Sequence, residues 1–186
     1  MMLAAVTGDT QMIRTLLEAG ADPDSTNEEG QTALMVVART GNVESARLLL
    51  RRGVDINATE RWGGQDALMW AAAQGQPGMI GFLLSKGAQV NARSTVRDWQ
   101  RRVTAEGRPK DMNRGGFTPL LFAAREGCVP CLKVLLAGGA DINLPDPDDV
   151  TALNMALLNR NWDAARYLIE AGADADFWDV YGQTPL

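Results

Sequence analysis

Glycines at regular intervals divide this chain into units of nearly constant length. Five of them begin a Gly-Ala-Asp sequence or a near copy of it: Gly20, Gly53, Gly87, Gly139 and Gly172. They lie 33, 34, 52 and 33 residues apart, and a second glycine precedes each by 12 residues, except in the last unit, where Arg160 takes its place. A period of this length is typical of a solenoid, whose units bury their apolar faces only against one another. Residues 1–186 are therefore predicted to form one stacked array.

The residues between the glycines predict two helices in each unit. A capping residue followed by Ala or Pro and then Leu starts the first helix: Thr32-Ala33-Leu34, Asp66-Ala67-Leu68, Thr118-Pro119-Leu120 and Thr151-Ala152-Leu153. Apolar residues of the second helix are predicted to form the core: Leu49, Leu83 and Leu135. Because the first glycine permits the left-handed turn between the helices, either Arg160 or Asn159 is predicted to adopt a positive φ.

These residues resemble the ankyrin repeat, which opens with Thr-Pro-Leu-His and closes with Gly-Ala-Asp. The resemblance implies an all-α solenoid of stacked helix-turn-helix units with short β-hairpin fingers. It implies repeats at about 1–26, 27–57, 58–91, 116–143 and 144–176, with a partial repeat at 177–186 and an insertion at 92–115. Because both ends fall inside a repeat, the sequence is expected to belong to a longer array. The family's histidine is replaced by Met35, Met69, Leu121 and Asn154, so the resemblance does not extend to that residue's hydrogen bonds.

The insertion at 92–115 separates charge along the chain. It has seven basic and three acidic residues, a net charge of +4, whereas the whole chain has −5, so the remainder carries −9. Arg and Trp are favoured anchors in protein interfaces, which makes four residues candidates for binding an acidic protein surface: Arg97, Trp99, Arg101 and Arg102. In the alternative interpretation, Trp99 packs on the repeats and the arginines are solvated or dock onto Glu60 or Glu126. The sequence as a whole resembles bacterial ankyrin arrays that carry one extended finger.

Three further residues are candidate partner contacts. Trp62 lies in a predicted finger, and Arg39 and Arg125 are predicted to face the concave side of the array, beside the fingers. Trp70 and Phe122 hold equivalent places in successive first helices, where they either contact a partner or pack between repeats. Packing is the favoured interpretation for these two, and an exposed contact is favoured for Trp62.

The composition argues against catalysis and against several ligands. The chain contains no histidine, which removes the commonest general base and zinc ligand. Its two cysteines, Cys128 and Cys131, have redox-motif spacing at a helix N-terminus, but buried or half-buried thiols are the favoured interpretation, and a local disulfide is the alternative. Asp146, Asp148 and Asp149 lack the glycine and glutamate of a calcium loop and are expected to form an ordinary polar finger. No cofactor or metal is expected.

These features favour a scaffold that binds another protein. An acidic array disfavours nucleic acid, no apolar run is long enough to cross a membrane, and no small-molecule substrate is evident. The partner-binding candidates are Arg39, Trp62, Arg97, Trp99, Arg101, Arg102 and Arg125. The alternative is an accessory or targeting module of a larger enzyme or effector. The compartment is left open.

Overall fold

The computed structural model of the protein describes residues 1–97 and 115–177. Ten helices occur in these ranges, in five consecutive pairs: α1 (Met2–Thr7), α2 (Thr10–Glu18), α3 (Ala33–Thr40), α4 (Val43–Leu50), α5 (Ala67–Ala73), α6 (Pro77–Ser85), α7 (Pro119–Arg125), α8 (Val129–Ala137), α9 (Ala152–Leu158) and α10 (Trp162–Glu170). The first helices α1, α3, α5, α7 and α9 each contact the next first helix, and the second helices do the same. The fold is therefore all-α and stacked.

The core lies between the two rows of helices. Leu49, Leu83 and Leu135 are fully buried there, which confirms their prediction as core residues. Alanines at equivalent places in three first helices are also buried, and their small side chains allow adjacent helices to approach closely: Ala38, Ala72 and Ala124. Each unit thus contributes to an apolar layer that it cannot close alone.

The first helices begin at the predicted capping residues. Oxygens of the Thr32, Thr118 and Thr151 side chains accept hydrogen bonds from backbone N–H groups three residues later. Asp66 makes the same bond to Met69, at 2.8 Å, although it is 2% exposed. Burial raises the pKa of Asp66 above its ordinary value, with the cap hydrogen bonds opposing this shift.

The turn after each first helix brings neighbouring units into contact. Arg160 has a φ of 60°, which confirms the prediction of a left-handed residue in place of glycine. Amide side chains just after this turn donate to carbonyl oxygens of the preceding unit: Asn42 to Gly8, Gln76 to Arg39, and Asn161 to Ala124 and Arg125. Hydrogen bonds between units therefore exist without the family's histidine.

Polar side chains organise the fingers. Asn27, Glu60 and Asp146 each accept hydrogen bonds from backbone N–H groups of their own turn. The Asp146 carboxylate is thus used by Asp148 and Val150, as expected for an ordinary polar finger. Regular β-hairpins are not confirmed, since the fingers among the described residues contain isolated antiparallel bridges, Thr26 with Thr32 and Val96 with Gly115, and no regular strand.

The insertion emerges from the tip of the third finger. The Ser94 N–H donates to the Phe117 carbonyl at 2.9 Å, and the Phe117 N–H donates to the Ser94 hydroxyl at 2.8 Å. The Gly116 N–H also donates to the Thr95 carbonyl. The two ends of the inserted segment are therefore held together, so its length does not disturb the stacking of the helices.

A core truncation tests the stacked architecture. Leu83→Ala should lower the free energy of unfolding by about 2–5 kcal/mol, because Leu83 is fully buried and its loss leaves a cavity. Leu158→Ala is the control, since Leu158 is 63% exposed and should change stability by less than about 0.5 kcal/mol. Urea denaturation followed by circular dichroism measures both; equal effects would place Leu83 outside the core.

Replacing Asp66, the buried capping residue of α5, tests the cause of its raised pKa. Because the folded state holds the Asp66 proton more tightly than the unfolded chain, Asp66 costs stability as pH rises from the ordinary Asp pKa through the raised one. Asp66→Thr should therefore be more stable than the wild type at neutral pH, and the difference should shrink at acid pH. Thr118→Asp should be less stable than the wild type at neutral pH, and this difference should also shrink at acid pH. Parallel denaturation curves across pH measure this, and a pH-independent difference contradicts the assignment.

Candidate functional site

A row of positions along the successive first helices is called here the first-helix face. It comprises residues at two equivalent positions of successive units: Leu3, Val6, Val36, Arg39, Trp70, Ala73, Phe122, Arg125, Met155 and Leu158. Its ends are apolar and open, because Leu3, Val6 and Leu158 are 78%, 50% and 63% exposed. Between those ends, Arg39 is exposed and Trp70 and Arg125 are half-buried, whereas Phe122 is buried, like Val36 and Met155.

Arg39 and Trp70 form the first of two arginine–aromatic pairs on this face. The Arg39 guanidinium carbon lies 5.7 Å from the centre of the Trp70 ring, which comes from the next unit. Arg39 is exposed, and no salt bridge joins it to a carboxylate within residues 1–97 and 115–177. Trp70 is half-buried, and its buried indole N–H has no hydrogen-bond partner. The ring orients a cation that can still bind an anion.

Arg125 forms the second pair and joins the face to the base of the insertion. Its guanidinium carbon lies 5.1 Å from the Phe122 ring centre and 5.9 Å from that of Phe117, and the two rings pack edge to face at 5.5 Å. Glu126 forms a salt bridge with Arg125 at 3.0 Å. Because that bridge is partly exposed, it is screened by solvent and leaves the guanidinium available for exchange with another carboxylate.

Trp62 and Arg97 meet at the second and third fingers. Trp62 is 67% exposed, as favoured from the sequence, and the Arg97 guanidinium carbon lies 5.8 Å from its ring centre. Arg97 also donates a hydrogen bond to the Trp62 carbonyl. The fingers are further joined by backbone hydrogen bonds from Arg61 to Glu29 and from Thr95 to Gly63. The structure therefore brings together two candidates that are 35 residues apart.

The remaining insertion candidates, Trp99, Arg101 and Arg102, lie outside the described residues. Docking of the insertion's arginines onto Glu60 or Glu126 stays a prediction, because most of those arginines also lie outside the described residues. The Glu60 side chain is only 6% exposed, and its oxygens already accept hydrogen bonds from Trp62, Gly63 and Gln65. These hydrogen bonds hold the Glu60 carboxylate within its own finger turn.

The cysteine interpretation favoured from the sequence is wrong. Cys128 and Cys131 are joined by a disulfide, with Cα atoms 5.2 Å apart, so they are not two free thiols. Cys128 caps the N-terminus of α8, and Cys131 lies three residues later in its first turn. This position lets the two side chains face each other, which spacing along the sequence does not establish.

The arginine–aromatic pairs show what sequence reasoning missed. Arg39 was predicted to face the concave side of the array and Trp70 to pack between repeats, but their contact across two units was not foreseen. The sequence contains a signal for this contact in the positions of the two residues relative to their helix caps. Arg39 lies seven residues after the cap Thr32, and Trp70 lies four residues after the cap Asp66. In the next unit Phe122 and Arg125 occupy the same two positions relative to Thr118.

Residues 1–97 and 115–177 contain neither a cluster of metal ligands nor a membrane-spanning helix. No group of three or more Cys, Asp or Glu side chains there is arranged to hold a metal ion. In the same residues, no helix combines the length and hydrophobicity that crossing a bilayer requires.

Comparison with known families agrees with this architecture. The family model described as Ankyrin repeats (3 copies) matches residues 1–94 and 120–186. This chain belongs to the ankyrin repeat family. The unmatched interval of this ankyrin array, residues 95–119, includes most of the insertion at 92–115, which lies within the finger closed by the hydrogen bonds between Ser94 and Phe117.

Relatives of the array are parts of larger and varied proteins. The chain is 32% identical to "L-asparaginase" of Dirofilaria immitis over 98% of its own length, but over only 28% of that protein. It is 30% identical to "B-cell lymphoma 3 protein homolog" of Mus musculus over 99% of its length and 38% of that protein. It is 43% identical to human "SH3 and multiple ankyrin repeat domains protein 2" over 38% of its length and 4% of that protein. These relatives are eukaryotic and lend no support to the resemblance to bacterial arrays.

Proposed function

We propose that this ankyrin array is a non-catalytic protein-interaction module whose first-helix face binds an acidic segment of another protein. The single observation that carries the proposal is the Arg39–Trp70 pair, an exposed guanidinium stacked at 5.7 Å on an aromatic ring of the next unit. Such an arrangement holds the cation in place before a ligand arrives, which lowers the entropy lost on binding. In this proposal residues 1–186 form one array.

The spacing of the two arginine–aromatic pairs suggests the form of the bound segment. Arg39 lies on α3 and Arg125 on α7, with α5 between them. Because packed helices lie about 8–10 Å apart, the two guanidinium groups are separated by roughly 16–20 Å. An extended segment rises about 3.3 Å per residue, so it would place carboxylates roughly five or six residues apart over the two arginines. Apolar side chains between those carboxylates would contact Trp70.

Local charge, rather than net charge, favours an acidic partner. The whole chain carries −5, which disfavours non-specific binding to the phosphates of nucleic acid. A guanidinium, however, binds a carboxylate through two parallel hydrogen bonds, an interaction stronger than one between neutral groups. Arg39 and Arg125 therefore provide specific carboxylate contacts on a chain that repels polyanions as a whole.

The fingers extend this surface in the proposal. Trp62 and Arg97 form one exposed aromatic–guanidinium pair at the base of the insertion. Trp99, Arg101 and Arg102 follow Arg97 within the insertion, whose charge of +4 suits the same acidic partner. Charge of one sign at one edge increases the rate at which an oppositely charged surface arrives.

The alternative function is a targeting or accessory module of a larger enzyme. The observation that favours it is the match to a protein named as an L-asparaginase, of which this chain covers 28%. In that case the array would bind a protein that positions the enzyme, and catalysis would belong to residues outside this chain. Expression of the complete reading frame that contains this sequence would distinguish the two, because a fused catalytic domain would be visible as added sequence and activity.

Loss of either stacked arginine should weaken partner binding. Peptides selected from a random display library against the wild-type array should be rich in Asp, Glu and apolar residues. Arg39→Ala and Arg125→Ala should each weaken the selected peptide by about 10–100-fold, the loss expected for a hydrogen bond to a charged group. Arg52→Ala is the matched control, since Arg52 is exposed just beyond α4 and away from the first helices. Affinity is measured by isothermal titration calorimetry. Equal affinities for all four proteins would contradict the proposed face.

Shortening the insertion separates a contact role from a bracing role. The segment 98–114 is replaced by Asn-Gly, which gives a short turn between the bridged residues Val96 and Gly115. The free energy of unfolding should stay within about 0.5 kcal/mol of the wild type, because Ser94 and Phe117 still close the finger. Association with the selected acidic peptides should become slower. Loss of several kcal/mol of stability would instead make the insertion a structural brace.

A further inference from the structure

We propose that Cys128 and Cys131 form a reversible thiol–disulfide site, at which Cys128 exchanges with a small thiol or disulfide such as glutathione. This inference is independent of partner binding at the first-helix face. It rests on the disulfide between the two residues, on their unequal burial, and on the hydrogen bond that the Cys128 sulfur accepts.

The surroundings of Cys128 suit a reactive sulfur. Cys128 is the N-cap of α8, a helix of nine residues, and its Sγ accepts a hydrogen bond from the Cys131 N–H at 3.2 Å. When the pair is reduced, that N–H and the positive end of the helix dipole stabilise a thiolate on Cys128. A thiolate, rather than a thiol, is the nucleophile in disulfide exchange.

Unequal burial assigns different roles to the two cysteines. Cys128 is half-buried and accessible, whereas Cys131 is fully buried within the core. A small disulfide can therefore reach the Cys128 sulfur but not that of Cys131. Cys131 lies one helical turn away, close enough to displace a group attached to Cys128. Cys128 is thus the attacking residue and Cys131 the resolving residue.

The exchange balances with glutathione as the only co-reactant. In the oxidising direction, the Cys128 thiolate attacks one sulfur of oxidised glutathione, the glutathione S–S bond breaks, and a mixed disulfide forms with release of one glutathione thiolate. The Cys131 thiolate then attacks the Cys128 sulfur and releases the second glutathione. Two electrons pass from the protein dithiol to glutathione, and the two protons of the protein thiols end on the two glutathione thiols.

The exchange changes a contact between two units. Cys128 occupies the place held in other units by Asn42, Gln76 and Asn161, whose amides donate to the preceding unit. Its sulfur faces Gly75 of the preceding unit, where an added Cβ would lie 3.9 Å away. A disulfide sulfur is neutral and has no hydrogen to donate, whereas the reduced sulfur is either a thiolate, which only accepts hydrogen bonds, or a thiol, which also donates. The oxidation state therefore changes the charge and the hydrogen-bonding capacity of the sulfur at this junction.

Glutathione titration with mass spectrometry tests the site, since the chain has only these two cysteines. Wild-type protein should pass from two alkylatable thiols to none as the proportion of oxidised glutathione rises. Cys131→Ser should accumulate one glutathione, on Cys128, at least about tenfold faster than Cys128→Ser accumulates it on Cys131. Circular dichroism of each variant checks folding, with Cys131→Ala as a second variant if serine destabilises the core.

Two outcomes would overturn the proposal. Wild-type protein that keeps two alkylatable thiols in excess oxidised glutathione has no reversible disulfide. Folded Cys131→Ser and Cys128→Ser proteins that acquire glutathione at the same rate would show that Cys128 has no special reactivity. Neither outcome affects the proposed binding of acidic peptides, which is measured separately.

Discussion

The fold depends on the burial of apolar side chains between neighbouring units. Leu49, Leu83 and Leu135 are fully buried in a core formed by helices that contact one another both within and between units. Equivalent alanines, such as Ala72 and Ala124, allow the first helices to approach closely. The amides of Asn42 and Asn161 then satisfy carbonyl groups at the ends of the preceding first helices. Stability is therefore shared between neighbours, and this packing sets the relative positions of the residues on the first-helix face.

Much of this architecture could be predicted because the same capping residues and turns recur in each unit along the chain. Thr32 and Thr151 cap helices for the same reason at each unit, and Arg160 adopts a positive φ because the turn requires it. The fingers were harder to predict. Their turns are organised by carboxylate or amide side chains, such as that of Glu60. These side chains accept hydrogen bonds from backbone N–H groups that would pair with the opposite strand in a regular hairpin.

The candidate site could be predicted only in part, because it depends on contacts between units. Sequence reasoning selected Arg39 and Arg125 individually, but the stacking of Arg39 on Trp70 depends on how two units align in space. The disulfide between Cys128 and Cys131 likewise depends on side-chain directions at a helix start. Arg39, in the last turn of α3, thus acquires part of its environment from the next unit, and the first-helix face is a property of the stack.

Side-chain NMR of the array with a bound acidic peptide tests the central claim most directly. The indole N–H signal of Trp70 and the guanidinium Nε signals of Arg39 and Arg125 should shift on titration with the peptide. The indole signal of Trp162, which is 65% exposed on the second helix α10, should stay unchanged. Shifts at Trp162 with none at Trp70, Arg39 or Arg125 would contradict binding at the first-helix face.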